Sequence, residues 1–391
     1  MKRKKIEGSE NMRILYVTTI GITMNFFKDL VKSLIDEGNT VDIACNEKLA
    51  DVPECYYEWK CKVYHVDCSR SPIDKGTVKA MKQIKEIVAA GEYDIVHCHT
   101  PVAAMCTRLA CKKLRKRGVK VLYTAHGFHF FKGAPLKNWM LYFPMEWLCA
   151  WWTDLLITIN QEDYERAKRC LRAKDIKYVP GVGINTGKFV FKEGAGEAKR
   201  LELGVGEHDI MLLSVGELNS NKNHEVVIRA IKRIGNPQLK YFICGVGGLE
   251  QYLSDLIQEL ELQEQVHLLG YRKDICELYQ ATDLCVFPSK REGLPVALME
   301  AIACKTPVVC SHIRGNVDLI KEKECTFKST SVDELVECLS NKLYNGANSA
   351  GAPRGVLAEK MKASVDINRV NLKQYELDNV VNIMKNVYEE L

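Results

Sequence analysis

Two glutamates separated by seven residues flank a Gly-Leu-Pro sequence that opens an apolar, helix-like segment. Glu292 stands before Gly293 and Leu294, and Glu300 falls in the second turn of the predicted helix. Unpaired N–H groups at a helix N-terminus favour a diphosphate, whereas carboxylates accept hydrogen bonds from hydroxyl groups. This combination suits a nucleotide-sugar, in which a diphosphate carries sugar at both ends. A solvated loop glutamate and an ordinary surface helix glutamate would produce the same spacing.

Apolar runs typical of buried parallel strands alternate with helical segments along the chain. They predict strands over residues 13–19, 41–45, 63–66, 95–98, 119–124, 155–159, 210–215, 241–244, 266–269, 284–287 and 307–310. The alternation indicates an α/β protein with two Rossmann-like, doubly wound parallel-sheet domains facing a cleft. We place the domains at residues 12–185 and 186–371, with 186–206 as the linker. Residues 1–11 are expected to form a disordered extension.

Four motifs, taken in order, resemble those of the retaining GT-B glycosyltransferases of family 4. They are Thr124–Phe128, Val179–Asn185, Ser214–Lys222 and the Glu292/Glu300 pair, and the resemblance runs from about Met12 to the C-terminus. In the N-terminal half, segments 96–105 and 125–135 are similar to EpsD-type bacterial exopolysaccharide glycosyltransferases. The resemblance implies the GT-B fold, with a last helix, here within 372–391, that crosses back to the N-terminal domain.

The resemblance also implies an activity. A hexosyl or N-acetylhexosaminyl group would pass from a nucleotide-sugar, expected to be UDP-linked, to a lipid-linked saccharide during exopolysaccharide or capsule synthesis. Retention of the anomeric configuration comes with the family. No Asp-x-Asp motif indicates a metal ion, so we expect Lys222 and helix amides to offset the charge of the leaving diphosphate, without a metal ion or other cofactor. Two alternatives remain open: a nucleotide-sugar epimerase of the same fold, and a non-catalytic subunit that binds a nucleotide-sugar.

Three residues are the candidate catalytic groups: His126, Lys222 and Glu292. His126 directly follows a predicted strand, at the edge where α/β proteins bind ligands, and the resemblance places it beside the donor sugar or the acceptor. Lys222 would put a point charge on the donor diphosphate. The family's arginine position is occupied by Glu217. Either Lys222 acts with backbone amides alone, or another cation, Lys290 or Arg291, replaces the missing one.

The candidate donor-binding residues come from several loops. The resemblance implies that Glu292 and the amides of Gly293 and Leu294 hold the transferred sugar, while Glu300 accepts hydrogen bonds from the ribose hydroxyls. The remaining candidates are Gly21, Gly245, Tyr271 and Arg272. Gly21 would line the cleft, although a plain turn explains it equally well. Gly245 would wall the nucleotide pocket, and Tyr271 or Arg272 would stack on the base.

Two histidines, His97 and His99, alternate at the end of a predicted strand. A metal site needs further ligands, and no neighbouring Asp, Cys or Glu completes a set. We therefore interpret both histidines as strand-end residues that pack near the cleft.

Aromatic residues and lysines are concentrated in the segment Phe128–Tyr142. Such a composition describes an interfacial element as well as a core, and we favour a role facing the acceptor or the membrane. The tryptophans that follow, Trp147, Trp151 and Trp152, are assigned to the core. The basic run Lys112–Arg117 is either a solvated helix end or a contact with anionic lipid.

Composition excludes some functions and sets the compartment. A net charge of +5 over 391 residues, with a pI of 8.3, is too low for a typical nucleic-acid-binding protein. Cys98, Cys244, Cys285 and Cys310 lie inside apolar runs, where free cysteine behaves as a small hydrophobe. No apolar segment resembles a signal peptide or reaches the roughly 18–20 residues of a spanning helix. We expect a reduced, cytoplasmic protein, peripheral at the inner face of the membrane.

Overall fold

The chain forms two compact units, each built around one parallel sheet. The computed structural model describes residues 11–69, 71–72, 74, 76–190, 192–344 and 370–391. The first unit runs to Gly183 and includes Leu377–Leu391, and the second is Ile184–Glu376. Of the extension predicted at residues 1–11, all but Asn11 lies outside the described residues.

The sheet of the first unit has seven strands, in the order β3-β2-β1-β4-β5-β6-β7. Six of them match predicted apolar runs to within two residues at each end; β7 was missed because its sequence, Asp-Ile-Lys-Tyr, has a single aliphatic residue. The strands are β1 (Arg13–Ile20), β2 (Thr40–Asn46), β3 (Val63–His65), β4 (Ile95–His99), β5 (Lys120–Ala125), β6 (Leu155–Thr158) and β7 (Asp175–Tyr178).

Helices cover both faces of this sheet. Successive side chains of a strand point to opposite faces, and β1 places buried apolar side chains on both. Leu15 and Val17 of β1 belong to one core cluster, and Ile14 and Tyr16 belong to the other. The helices are α1 (Lys28–Asp36), α2 (Cys55–Glu58), α3 (Gly76–Gly91), α4 (Pro101–Cys111), α5 (Leu136–Ala150) and α6 (Gln161–Cys170).

The second unit has a six-stranded parallel sheet, in the order β10-β9-β8-β11-β12-β13. All five predicted strands are present, and the two-residue β13 at the edge was missed. The strands are β8 (Ile210–Val215), β9 (Leu239–Cys244), β10 (Val266–Gly270), β11 (Leu284–Phe287), β12 (Val308–Ser311) and β13 (Thr326–Phe327). The helices are α7 (Ala195–Glu202), α8 (His224–Ile234), α9 (Glu250–Glu259), α10 (Ile275–Ala281), α11 (Val296–Ala303), α12 (Asn316–Leu319) and α13 (Val332–Tyr344).

The prediction of a linker over residues 186–206 is wrong. Helix α7 lies in this segment and packs against α10. Its Arg200 is buried, and its Nη1 lies 2.8 Å from Oδ2 of Asp283. A buried ion pair of this kind ties the segment to the second unit as part of its core.

The last helix, α14 (Leu377–Glu389), packs against the first unit. It begins five residues later than the periodic segment predicted from 372, because Leu372–Tyr375 forms a separate 3-10 turn in the second unit. Its buried residues, Val380, Val381, Met384, Val387 and Tyr388, recur every three or four positions and join the core cluster around Tyr16. This periodicity is that of a helix with one apolar face.

Among the described residues, no helix combines the length and the apolar character that crossing a membrane requires.

Candidate functional site

Asparagines shape the loop that follows β8 and present Lys222. The side-chain oxygen of Asn219 accepts hydrogen bonds from the N–H groups of Asn221 and Lys222, at 3.0 and 2.9 Å. Asn223 has a left-handed backbone, with φ of 57°, and its amide donates to the Pro288 and Ser329 carbonyls. Asparagine tolerates this conformation and bonds local backbone groups more readily than most residues.

Hydrogen bonds join this loop to the loop after β11 and bring Lys222 to Glu292. Asn221 donates its side-chain amide to the Arg291 carbonyl at 2.9 Å, and its own carbonyl accepts from Lys290 N at 2.8 Å. Lys222 Nζ then lies 2.7 Å from Glu292 Oε1, with both side chains partly buried. Two of the three predicted catalytic residues are therefore in direct contact.

The amides that follow Glu292 remain open. Gly293 N–H and Leu294 N–H have no acceptor within the part of the chain that the structure describes. The Gly293 carbonyl lies so close to Gly315 that a Cβ there would meet it at 2.4 Å. Close packing against Gly315 thus fixes the loop. The two N–H donors of Gly293 and Leu294 precede the first turn of α11, where the helix carries partial positive charge.

Glycines allow the ends of β8 and β9 to approach closely. A Cβ at Gly245 would meet the Gly216 carbonyl oxygen at 1.9 Å, and one at Gly216 would meet the Lys222 side chain at 3.0 Å. The Gly245 N–H already donates to the Gly270 carbonyl. Gly245 therefore shapes the wall of the site by its small size, and its amide is not free to bind a phosphate.

Glu300 lies in the second turn of α11, as predicted, and is partly exposed. Burial raises the pKa of its carboxyl, and the Tyr279 hydroxyl, 3.5 Å from Oε2, acts in the opposite direction. Tyr279 also donates to the Ala297 carbonyl at 3.0 Å, which fixes its ring against α11. The carboxylate has unused hydrogen-bonding capacity, as a hydroxyl-binding group requires.

Arg272 is partly exposed and takes part in an ion-pair network. Its guanidinium donates to Asp274 through Nε at 2.8 Å and to Glu202 through Nη2 at 2.7 Å. Lys199 joins the same carboxylate of Asp274. The arginine is thus held by an ion-pair network with α7, whereas the Tyr271 ring is 72% exposed and is available for stacking.

Glu217, at the position of the family's arginine, is exposed at the end of β8. It forms no ion pair with any of the described residues. Two cations flank the Lys222–Glu292 contact: Lys290, which is exposed, and Arg291, which is partly exposed. Neither forms an ion pair in the described part of the chain, so both remain candidates for the missing charge.

In the first unit, His126 directly follows β5 and is half-buried. Its Nε2 lies 3.0 Å from Nδ1 of His99, the last residue of β4. Burial lowers the pKa of His126 to about 4, so the ring is neutral at physiological pH. The following loop is anchored because Phe128 N–H donates to the buried Asp163 carboxylate at 2.9 Å.

His97 and His99 do more than pack. His97 bonds the Tyr388 hydroxyl of α14 through Nδ1 at 2.6 Å and the Thr124 hydroxyl through Nε2 at 2.8 Å. Tyr388 also lies 2.5 Å, oxygen to oxygen, from the Tyr16 hydroxyl. These hydrogen bonds hold α14 against strands β1 and β4 and against the end of β5, which His126 directly follows. Sequence reasoning missed them because Tyr388 is nearly three hundred residues from His97.

The structure supports the plain-turn interpretation of Gly21. Its N–H donates to the Ala50 carbonyl at 3.0 Å, so it is not free to bind a diphosphate. A Cβ at this position would meet the backbone of residues 50–52 at 2.6 Å. Close packing therefore accounts for the glycine.

Two predictions about the aromatic region are corrected. Phe128 and Phe130 are buried in the core and do not face the acceptor or a membrane. Conversely, Trp147 and Trp151, assigned to the core, are 44% and 56% exposed. Helix α5 presents an outer apolar face, formed by Leu136, Met140, Leu141, Trp147 and Leu148, with Trp151 directly after its end.

The basic run Lys112–Arg117 lies against the end of this helix. Arg115 donates to the Trp151 carbonyl and forms an ion pair with Asp154 at 2.7 Å. Lys112 Nζ lies 4.3 Å from the centre of the Trp152 ring. The remaining cations of the run, Lys113, Lys116 and Arg117, are exposed.

Family models match both units of the chain. Residues 13–160 match the model described as Glycosyl transferase 4-like, and residues 197–350 match that described as Glycosyl transferases group 1. A protein of Bacillus subtilis (strain 168), assigned as glycosyltransferase EpsD, is 40% identical over 269 residues, which cover 68% of this chain and 70% of the relative. The chain belongs to the group 1 glycosyltransferases of the family 4 type. This glycosyltransferase is therefore an enzyme of the predicted family.

A second relative is named for its substrates. The Escherichia coli UDP-Gal:alpha-D-GlcNAc-diphosphoundecaprenol alpha-1,3-galactosyltransferase is 29% identical over 282 residues, which cover 68% of this glycosyltransferase and 72% of the relative. Among solved structures, Anabaena HepE in complex with UDP matches 97% of this chain and all of its own, with a TM-score of 0.74 and 19% identity. HepE in complex with UDP-glucose gives a TM-score of 0.73. These likenesses establish the GT-B fold.

Within the described residues of this glycosyltransferase, no three His, Cys, Asp or Glu side chains are arranged to hold a metal ion. Of the predicted site residues, the structure gathers Lys222, Glu292, Gly293 and Leu294. The Glu300 carboxylate can accept further hydrogen bonds, and the Tyr271 ring is exposed. The structure adds two features that the sequence analysis did not predict: the Asn219–Asn223 cluster and the contact between His99 and His126. The repeated asparagines could have indicated the first of these features.

Proposed function

We propose that this glycosyltransferase moves a hexosyl or N-acetylhexosaminyl group from a UDP-sugar to a lipid-linked saccharide in exopolysaccharide or capsule assembly. Retention of the anomeric configuration and independence of metal ions are part of the proposal. The E. coli relative supports the donor and acceptor classes, because its name includes UDP-Gal and a diphosphoundecaprenol acceptor. HepE, which shares the fold, was solved with UDP and with UDP-glucose. The similarity to EpsD supports the pathway.

The contact between Lys222 and Glu292 carries the proposal. An ammonium group beside two open amides, those of Gly293 and Leu294, suits the diphosphate of a donor, and the carboxylate suits hydroxyl groups of the transferred sugar. Lys222 offsets the charge that develops on the departing nucleoside diphosphate, where fixed charges act most strongly. Glu300 holds the ribose, and Tyr271 stacks on the base. In the first unit, His126 contacts a sugar hydroxyl without becoming charged.

A donor panel tests this proposal. UDP-hexoses, UDP-N-acetylhexosamines, GDP-sugars and ADP-sugars are incubated with a lipid-linked saccharide, and the released nucleoside diphosphate is measured. We expect release from one UDP-sugar, with the anomeric configuration of the product, read by NMR, matching that of the donor. Glu292→Gln keeps the side-chain volume and is the matched control; it should turn over far more slowly. Turnover confined to GDP- or ADP-sugars contradicts the donor class, and an inverted product contradicts retention.

We also propose that the outer apolar face of α5 and the neighbouring basic run bind the anionic inner face of the membrane, where a lipid-linked acceptor resides. Leu136 and Met140 are 74% and 71% exposed, and they lie one helical turn apart on the same side. Exposed Lys113, Lys116 and Arg117 add positive charge next to the end of the helix. Each cation near an anionic surface contributes about 1 kcal/mol, and apolar side chains add burial.

Vesicle co-sedimentation tests the membrane contact. The protein should sediment with vesicles that contain phosphatidylglycerol at low salt, less so at high salt because the charges are screened, and less with neutral vesicles. Leu136→Gln/Met140→Gln should weaken sedimentation. Leu201→Gln, at a leucine 81% exposed in the second unit, is the matched control and should leave it unchanged. A protein that stays in the supernatant with anionic vesicles at low salt contradicts the proposal.

A further inference from the structure

His99 and His126 are joined by a hydrogen bond between their rings. Nδ1 of His99 and Nε2 of His126 are 3.0 Å apart, a normal hydrogen-bond length. Burial lowers the pKa of His126 to about 4, and burial together with His97 and His126 lowers the pKa of His99 well below its usual value. Both rings are therefore neutral near pH 7, each with one N–H, and one ring must donate to the other.

The second nitrogen of His99 decides which ring donates. His99 is 1% exposed, and its Nε2 is buried without a hydrogen-bond partner in the described part of the chain. His97 cannot serve, because Tyr388 and Thr124 occupy its two nitrogens. A buried N–H without an acceptor is rarer and costlier than a lone pair without a donor. His99 therefore carries its proton on Nδ1 and leaves a lone pair on Nε2.

The tautomer of His126 follows from this assignment. Its Nε2 accepts the proton of His99, so its own proton resides on Nδ1. That nitrogen has no partner among the described residues, and the ring is half-buried, directly after the strand end.

We propose that His99 is a positioning residue that holds His126 as the Nδ1–H tautomer, so that His126 meets its substrate as a hydrogen-bond donor and not as a general base. This inference rests on the proposed contact between His126 and a sugar oxygen. Since Nε2 is occupied and Nδ1 carries the proton, neither nitrogen has a free lone pair with which to remove a proton. The residue orients a substrate oxygen and leaves proton removal to another group.

NMR of the full-length chain labelled with ¹⁵N-histidine tests the tautomer directly. Each histidine is assigned by the loss of its signals in a single-site variant, and ¹⁵N shifts identify the protonated nitrogen. In the wild type at pH 7.5, His126 should show a protonated Nδ1 and a bare Nε2, with His99 likewise protonated at Nδ1. A His126 ring protonated at Nε2 overturns the inference.

Matched substitutions at His99 test its consequence. His99→Asn places an amide N–H near the position of Nδ1 and should keep kcat within about twofold, with the His126 tautomer unchanged. His99→Leu has similar volume but no donor; it should lower kcat roughly tenfold, the cost of one hydrogen bond, with little change in donor KM. Equal losses in both variants, with the tautomer of His126 unaltered, would indicate a purely structural role and overturn the inference.

A double-variant cycle separates this inference from the proposed function. If His99 acts through His126, His99→Leu/His126→Ala should be no slower than His126→Ala alone. Additive losses overturn the coupling. Full activity in His126→Ala overturns the proposed substrate contact, while the NMR experiment still reports whether His99 sets the tautomer. Thermal melting of each variant distinguishes unfolding from loss of turnover.

Discussion

The two units of this glycosyltransferase handle charge in opposite ways at the carboxyl ends of their strands. In the second unit, a lysine and a glutamate lie 2.7 Å apart, partly exposed, beside open backbone amides. In the first, the polar groups are imidazoles whose pKa values are lowered by burial. Charged groups suit a diphosphate whose charge increases as it departs, whereas neutral donors suit sugar hydroxyls. The two kinds of polar group thus match the two contacts proposed above, with a diphosphate in the second unit and with sugar hydroxyls in the first.

The strongest test of this contrast removes the charge from the second unit. Lys222→Met should lower kcat on the order of a hundredfold or more, with a smaller effect on donor affinity, because the ammonium acts mainly on the developing charge of the leaving group. Steady-state kinetics with donor binding by calorimetry measure both quantities. Arg291→Met, the matched control, should have a smaller effect. If instead Lys222→Met stays within a few-fold and Arg291→Met does not, Arg291 supplies the charge.

A second test asks whether the partly exposed carboxylate of Glu300, in the second unit, serves binding and not catalysis. Glu300→Gln should weaken UDP affinity by about 1.5–3 kcal/mol through the lost charged hydrogen bond to ribose. Because burial raises the pKa of this carboxyl, its ionised form costs stability as pH rises, and the variant should melt slightly higher without ligand at neutral pH. Calorimetry and thermal melting report the two effects. Unchanged UDP affinity removes Glu300 from the site.

A third effect, on stability and not on turnover, concerns the neutral histidines of the first unit. The pKa of His97 is lowered to about 3 and that of His126 to about 4, so the unfolded chain binds more protons than the folded one below about pH 6.5. Stability should be constant above that pH and fall as pH drops towards 4, by about 1.4 kcal/mol per histidine and pH unit.

Hydrogen exchange at pH 7.5 and 5.5 locates this loss. Strands β4 and β5 should lose more protection than β8 and β11. Burial lowers the pKa of three histidines at the ends of β4 and β5, His97, His99 and His126, whereas the described part of the second unit has two histidines with a lowered pKa, His224 and His267. His126→Asn should reduce the loss, and His208→Gln, at an exposed histidine, should not. Equal losses in the two units contradict the contrast between them.

Local sequence patterns predicted the sheets well and the site only in part. Continuous apolar runs identified every described strand but β7 and β13. Strand β7 has a single aliphatic residue and β13 is two residues long, so neither forms an apolar run. The Glu292–Glu300 spacing placed one carboxylate on a loop and the other on α11. The contacts that local patterns did not predict join distant residues: Arg272 with Glu202, Arg200 with Asp283, and Gly21 with residues 50–52. No pattern within one segment reports such contacts.

Helix α14 also has a consequence for biosynthesis. The face of the first sheet that carries Ile14 and Tyr16 is covered partly by a helix that leaves the ribosome only after the entire second unit. A nascent chain therefore displays that apolar face throughout translation of the second unit, when it is open to chaperones and to aggregation. The bonds from Tyr388 to Tyr16 and His97 can form only after the second unit has been translated, and a chain that ends before Leu377 lacks them.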